Sequence, residues 1–190
     1  MNYIGIDNGV SGTIGILDDA DKVVFFKTPI IKSKHYAKSR DMLTRIDRKK
    51  LQKLLEPHLP ALALIEAPFT NPGMFQATLS NHRSHAEISG VLEDLGITFE
   101  TVLPRTWQPA VLGDVSGREL LKEASLKKAK ELFPKLVIKA PDADGLTIAV
   151  YLKSKCTSTP QAEKSSKGIP TRPTSKSGST KKTRTVTSNS

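Results

Sequence analysis

Cysteine is almost missing from this chain: Cys156 stands alone among 190 residues. One thiol can build neither an internal disulfide framework nor a cysteine-based zinc site. No apolar run approaches the roughly 20 residues a membrane-crossing helix needs, and no amphipathic lipid-seeking segment stands out. The first residues enter a strand pattern at once, without the charged-then-apolar layout of a signal peptide. Aromatic residues make up only 5% of the chain, with a single tryptophan, so any exposed aromatic carries weight. Acidic charge is also short: 19 Asp and Glu against 29 Lys and Arg leave a formal net charge of +10. These shortages lead us to expect a soluble protein of a reducing compartment whose partner is a polyanion, nucleic acid before membrane.

Composition changes abruptly near Ser154. From there to Ser190 the chain is Ser, Thr, Lys and Pro with almost no apolar residue. Eight basic residues (Lys155, Lys164, Lys167, Arg172, Lys176, Lys181, Lys182, Arg184) face one acid, Glu163, so this stretch carries +7 of the net +10. Such a segment cannot bury enough surface to offset its ordering entropy. We therefore expect one folded domain over residues 1–153 and a disordered basic tail over 154–190. The tail is either a solubilising extension or a non-specific arm for phosphates.

The folded part reads β-β-β-α-β-α-β-α-α. Residues 2–7, 13–17 and 22–26 are apolar runs separated by turn signals, Asn8-Gly9 and then Asp18-Asp19-Ala20-Asp21, as in an antiparallel meander. Residues 46–55 place Ile46, Leu51, Leu54 and Leu55 on one helical face, stopped by Pro57 and Pro60. Residues 61–65 are short, wholly apolar and suited to a buried central strand. A long helix is expected over 75–95 with Gly96 as its cap, then a strand over 99–103. Ser116-Gly117-Arg118-Glu119 has capping-box spacing and should open a helix running to Pro134. A closing helix starts near Asp142 and runs to about Lys153.

Four acids sit at the ends of these elements. Asp7 follows Ile4-Gly5-Ile6, Glu66 closes the run 61–65, and Asp142 and Asp144 open the last helix. A carboxylate at the end of a buried strand is costly unless something pairs with it. Gly5 and Gly9 leave room beside Asp7 for a close approach, and the strands carrying Asp7 and Glu66 are expected to be neighbours. Four converging carboxylates would make a hard-oxygen cage suited to Mg²⁺. Each acid also has a plainer explanation. Asp7 could be a turn residue before Asn8-Gly9, Glu66 the partner of a Lys or Arg, and Asp142 and Asp144 ordinary helix caps. All four together are harder to explain that way.

The set Gly5-Ile6-Asp7-Asn8-Gly9, Leu64-Ile65-Glu66, Pro104-Arg105-Thr106-Trp107-Gln108, Lys122-Glu123-Ala124-Ser125 and Ala143-Asp144-Gly145-Leu146-Thr147-Ile148-Ala149 resembles the RuvC family of Holliday junction resolvases. The Trp-Gln pair makes it look most like the phage branch. The likeness spans residues 1–152 and excludes the tail. It implies an RNase H-like α/β fold, a mixed five-stranded sheet with helices on both faces. It further implies a Mg²⁺-dependent crossover junction endodeoxyribonuclease with two metals per subunit, Mn²⁺ being expected to substitute. Carried over, Asp7 would bridge both metals, Glu66 would hold one and Asp144 the other. The reaction would be paired, symmetric nicks in branched DNA that leave 5′-phosphates, made by a homodimer in the cytoplasm of a bacterial or phage-infected cell. The chain departs from the family at the fourth acid, which usually lies one helical turn before the position of Asp144; here Ala140 or Pro141 occupies that slot. Asp142, two residues upstream, could reach the site only if it lies outside the first helical turn.

Between Lys27 and Lys53 ten basic residues oppose only Asp41 and Asp47. Lys34, Lys38, Arg40, Arg48, Lys49 and Lys50 belong to this run, which is either a solvated face or a DNA-backbone contact. Arg105 and Lys122 are candidate additions near the acids. His35 amid these lysines suits a phosphate donor or a solvated residue. Phe69 follows Glu66 as the family places an aromatic that stacks on bases at the junction centre; alternatively it is a core residue, and Phe75 shares that ambiguity. Trp107 reads as a packing anchor. Two other readings stand beside the nuclease. Asp7-Asn8-Gly9 with Gly12-Thr13 has the look of the phosphate loop of actin-like ATPases, but so short a folded part cannot supply the second domain those enzymes need. A non-cleaving protein that binds branched DNA remains open, as does a relaxed enzyme that also cuts forks and flaps.

Overall fold

Alternation along the first strand decides the layout. In β1 (Asn2–Ile6) the side chains of Ile4 and Ile6 point to one face, Tyr3 and Gly5 to the other. The computed structural model describes residues 1–34 and 42–158. In it β1 is the central strand of a five-stranded sheet, flanked by β2 (Thr13–Asp18), β3 (Val23–Lys27), β6 (Ala61–Glu66) and β7 (Thr98–Val102) in the order β3-β2-β1-β6-β7. The first three strands form the expected antiparallel meander, and β6 and β7 run parallel to β1. The sheet is mixed, with helices on both faces.

On one face Ile4, Ile6, Ile14, Ile16 and Ile65 meet Leu51 and Leu55 of α1 (Arg48–Leu55) and Ile88, Val91 and Leu92 of α2 (Phe75–Asp94). Each aliphatic side chain withdrawn from water there contributes about 1.5–3 kcal/mol. On the other face lie α3 (Pro104–Leu112), α4 (Arg118–Leu132) and α5 (Asp144–Ser158). Tyr3 and Leu64 pack there with Trp107, Ile148 and Leu152, while Leu17 packs with Ala129, Leu146 and Ala149.

The first turns of helix α5 lie directly on the sheet backbone because two facing positions there, Gly5 and Gly15, carry no side chain. Gly5 and Gly15 are cross-strand partners. A Cβ on Gly5 would stand 2.1 Å from the Ala149 backbone nitrogen, and one on Gly15 would stand 2.4 Å from Leu146 Cα. A Cβ on Gly145 would meet the Thr13 carbonyl at 2.2 Å. The helix N-terminus therefore rests against β1 and β2 at the rim where Asp7 emerges.

The structure corrects the expected elements in five places. A hairpin of β4 (Ile30–Lys34) and β5 (Met42–Ile46) lies where no strands were anticipated. Ile46, assigned above to a helix, ends β5 and is buried; α1 begins two residues later, capped by Asp47, whose carboxylate accepts from the Lys50 amide at 3.0 Å. Helix α3 was not anticipated; it opens on Pro104, and proline suits the first turn, where its missing N–H costs nothing. The capping box at Ser116 does not form. The chain turns at Gly117, φ 97°, which caps α4 and leaves Ser116 outside the helix. Helix α5 runs to Ser158, past the expected end at Lys153, and includes the exposed Cys156. The tail from residue 159 onward, and Lys38, Arg40 and His35 within 35–41, lie outside the described residues.

Candidate metal centre

Register brings the first two acids together. Ile6 pairs with Ile65 across the parallel β1–β6 ladder, so Asp7 and Glu66 leave adjacent strands at the same rim. The two-residue period puts both carboxyls on the α5 face, alongside Gly5 and Leu64. They lie within hydrogen-bonding reach of each other.

The other two acids arrive from the loop into α5. Asp144 is the first residue of the helix, and the Leu146 and Thr147 amides both bond to the Ala143 carbonyl. Asp142 thus precedes the helical turn, the condition under which it can share a site with Asp144. Side-chain oxygens of Asp7, Asp142 and Asp144 all lie within 4.8 Å of one another. Two hydroxyls hold this loop in place. Thr13 accepts from the Gly145 amide at 3.1 Å and donates to Asp142 Oδ1 at 3.4 Å. Ser125 on α4 accepts from the Ala143 amide at 3.2 Å and donates to the Lys122 carbonyl at 3.0 Å.

Crowding sets the electrostatics. Desolvation, followed by the charges of Glu66, Asp144 and Asp142, holds the Asp7 pKa well above the usual carboxylate range. Burial pushes Glu66 up to about 7, opposed by a hydrogen bond from Trp107. Asp144 is raised to about 6, again mainly by desolvation, with Ser125 and the positive charge of Lys122 pulling the other way. Among the described residues no lysine or arginine forms a salt bridge with any of these acids. Four acids at one rim, three of them converging within a few ångströms and lacking a paired cation, are a donor set that fits a hard divalent ion. Asp7 lies both in the three-aspartate cluster and against Glu66, which lies outside that cluster.

Trp107 and Thr13 were missed as parts of the site. The indole Nε1–H of Trp107 donates to Glu66 Oε1 at 3.1 Å. Its nearness to Glu66 follows from β7, since Val102 pairs with Glu66 and α3 starts two residues later. Asn8 is also buried beside Asp7, its amide donating to the Asn81 carbonyl of α2 at 3.2 Å.

The candidate DNA contacts are more dispersed. Phe69 and Phe75 are 49% and 67% exposed, which removes the core alternative for both; Met74 and Leu79 are exposed as well. Lys34, Lys49 and Lys50 are exposed. Arg48 is engaged within the fold, paired with Asp94 at 2.8 Å. Arg105 is exposed in the first turn of α3, and Lys122 faces Asp144. Among the described residues no helix is long and apolar enough to cross a membrane.

No protein-family model and no curated protein matches the sequence. Solved structures do match. RuvC from Thermus thermophilus in complex with a Holliday junction substrate superposes with a TM-score of 0.54 at 14% identity, over 83% of this chain and 96% of that one. A second Thermus thermophilus RuvC structure gives 0.51 at 13% identity, over 83% and 97%. At such identities the likeness is one of fold: the chain has the RNase H-like architecture of RuvC.

Proposed function

We propose that this chain is a structure-selective endodeoxyribonuclease that resolves Holliday junctions and other branched DNA by two-metal hydrolysis. The observation that carries this reading is the convergence of Asp7, Asp142 and Asp144, with Glu66 against Asp7, at one rim of a RuvC-like sheet. In support, one of the matching proteins was solved on a Holliday junction.

In this reading Asp7 would serve both of two cations, Glu66 would help hold one, and Asp142 and Asp144 would help hold the other. Bound Mg²⁺, or Mn²⁺ in its place, would supply a water of lowered pKa and charge stabilisation for the leaving 3′ oxygen. The protein's own part is to hold the four carboxylates in register. Asp7 and Glu66 are fixed by the β1–β6 ladder, and Asp142 and Asp144 by the hydroxyls of Thr13 and Ser125. Lys122 and Arg105 neutralise phosphates beside the acids, and Lys34, Lys49 and Lys50 extend that contact along the backbone. Lys38 and Arg40 join them by their place in the same basic run. Phe69 and Phe75 offer exposed rings on which unpaired bases at a branch point stack. Paired nicks need two sites related by a two-fold axis, hence a homodimer. Such an enzyme would act in the cytoplasm of a bacterial or phage-infected cell, and the Trp-Gln pair favours the phage branch.

The test is cleavage of a synthetic four-way junction, with forks, flaps and linear duplex as comparisons. Wild type is expected to nick the junction in Mg²⁺ and leave 5′-phosphates. Asp7→Asn should bind the junction with unchanged affinity and not cut it. An Asp7→Asn protein cutting at the wild-type rate overturns the metal assignment. A wild type that binds junctions yet nicks none in Mg²⁺ or Mn²⁺ replaces the nuclease with a branched-DNA binding protein.

A further inference from the structure

Trp107 is the sole tryptophan of the chain and is fully buried. Its ring packs with Tyr3 of β1, Leu64 of β6, Val102 of β7, and Ile148 and Leu152 of α5. The strand that leads into Asp7 and the elements carrying Glu66 and Asp144 therefore all pack on one indole. A buried site that needed only apolar bulk would take Phe or Leu; an indole brings an N–H that must find an acceptor. Here that acceptor is Glu66 Oε1, at 3.1 Å. The indole has one donor and no acceptor, so it engages one carboxylate oxygen and leaves the other unoccupied by it.

We propose that Trp107 is a positioning residue: it fixes the orientation of the Glu66 carboxylate and thereby sets the affinity of the acidic site for a divalent cation. This rests on reading the four acids as a metal centre. Hydrogen bonds to ligating carboxylates typically change metal affinity or activity 10- to 100-fold when removed. A platform packed on all sides also moves when its bonded oxygen is drawn toward a cation, so the indole should report occupancy of the site.

Two measurements test this. Trp107→Phe keeps an aromatic ring and deletes the donor. It should raise the Mg²⁺ concentration for half-maximal junction cleavage by about tenfold or more, and weaken Mg²⁺ binding by calorimetry equally. At saturating Mg²⁺ the maximal rate should return to within a few-fold of wild type. An unchanged Mg²⁺ midpoint in a folded Trp107→Phe protein overturns the proposal. Should that variant not fold, the wild type still decides. Its tryptophan emission should change during a Mg²⁺ titration with the calorimetric midpoint, and Glu66→Gln, which keeps an acceptor for the indole, should lose that response. Emission unchanged while calorimetry records binding to the wild type overturns the proposal. If Asp7→Asn and Glu66→Gln both bind Mg²⁺ like wild type, the metal-centre reading fails and takes the proposal with it.

Discussion

At Asp7, burial and three neighbouring carboxyls act in one direction, toward holding a proton. Glu66, raised to about 7, and Asp144, raised to about 6, share that bias. Carboxyls whose folded pKa exceeds the unfolded value contribute stability that is fully present below about pH 4 and lost as pH rises through the folded values. Without metal, the protein should therefore lose stability between about pH 4 and pH 7. Asp7→Asn removes one of the repelling charges. In chelator at pH 8 its melting midpoint should exceed that of wild type by a few degrees, and the gap should close by pH 4, as thermal denaturation followed by circular dichroism can show. An equal gap at both pH values would mean the acids do not interact as described. The four acids were legible in sequence because each stands where a buried element ends. Their supports were not. Trp107 reaches Glu66 across 41 positions and Thr13 reaches Asp142 across 129, and nothing local in a hydroxyl or an indole announces such a partner.

Among the elements, the seat of α5 depends on what β1 and β2 lack. Any side chain at Gly15 meets the backbone of Leu146 rather than a flexible tip, so the helix itself must shift. Overpacking of this kind costs about 1–3 kcal/mol or more, and Gly15→Ala should lower the melting midpoint by roughly 5–10 °C. Because Asp142 and Asp144 ride on that helix start, Gly15→Ala should also weaken Mg²⁺ binding measured by calorimetry. A Gly15→Ala protein that melts and binds Mg²⁺ like wild type would show that α5 does not set the site. The meander, the central strand and the long helix could be read from periodicity because each buries one whole face. The β4–β5 hairpin could not. Ile30, Ile31 and Met42 are exposed, and the hairpin is tied down by Ile46 in the core and by Glu87, which accepts from Arg45 Nε at 2.7 Å and the Ile46 amide at 3.0 Å. Those ties lie 41 and 42 positions away on α2, beyond the reach of a local pattern.

For the whole molecule, basic charge divides unevenly between residues 1–158 and the segment that follows. Residues 159–190 carry seven basic residues against Glu163, which is +6 of the net +10, so +4 belongs to residues 1–158. The acids lie at a rim where the charge of Lys122 acts on Asp144, whereas the charge of residues 159–190 is spread along the chain with no motif attached. Phosphate contacts made by such a segment add affinity without sequence or structure preference and release counterions, with a slope of about 0.9 per neutralised phosphate on duplex DNA. Deleting 159–190 should therefore weaken junction binding at low salt and flatten the plot of log affinity against log salt by up to about 5. The deletion should also weaken linear duplex binding by the same factor, leaving the preference for the junction intact. Cleavage positions and the Mg²⁺ midpoint should stay unchanged, since neither depends on those residues. Fluorescence anisotropy across a salt series, with junction and duplex in parallel, measures both slopes. An unchanged slope would make the segment a solubilising extension, and a selective loss of junction preference would place structure recognition in it rather than in the folded domain.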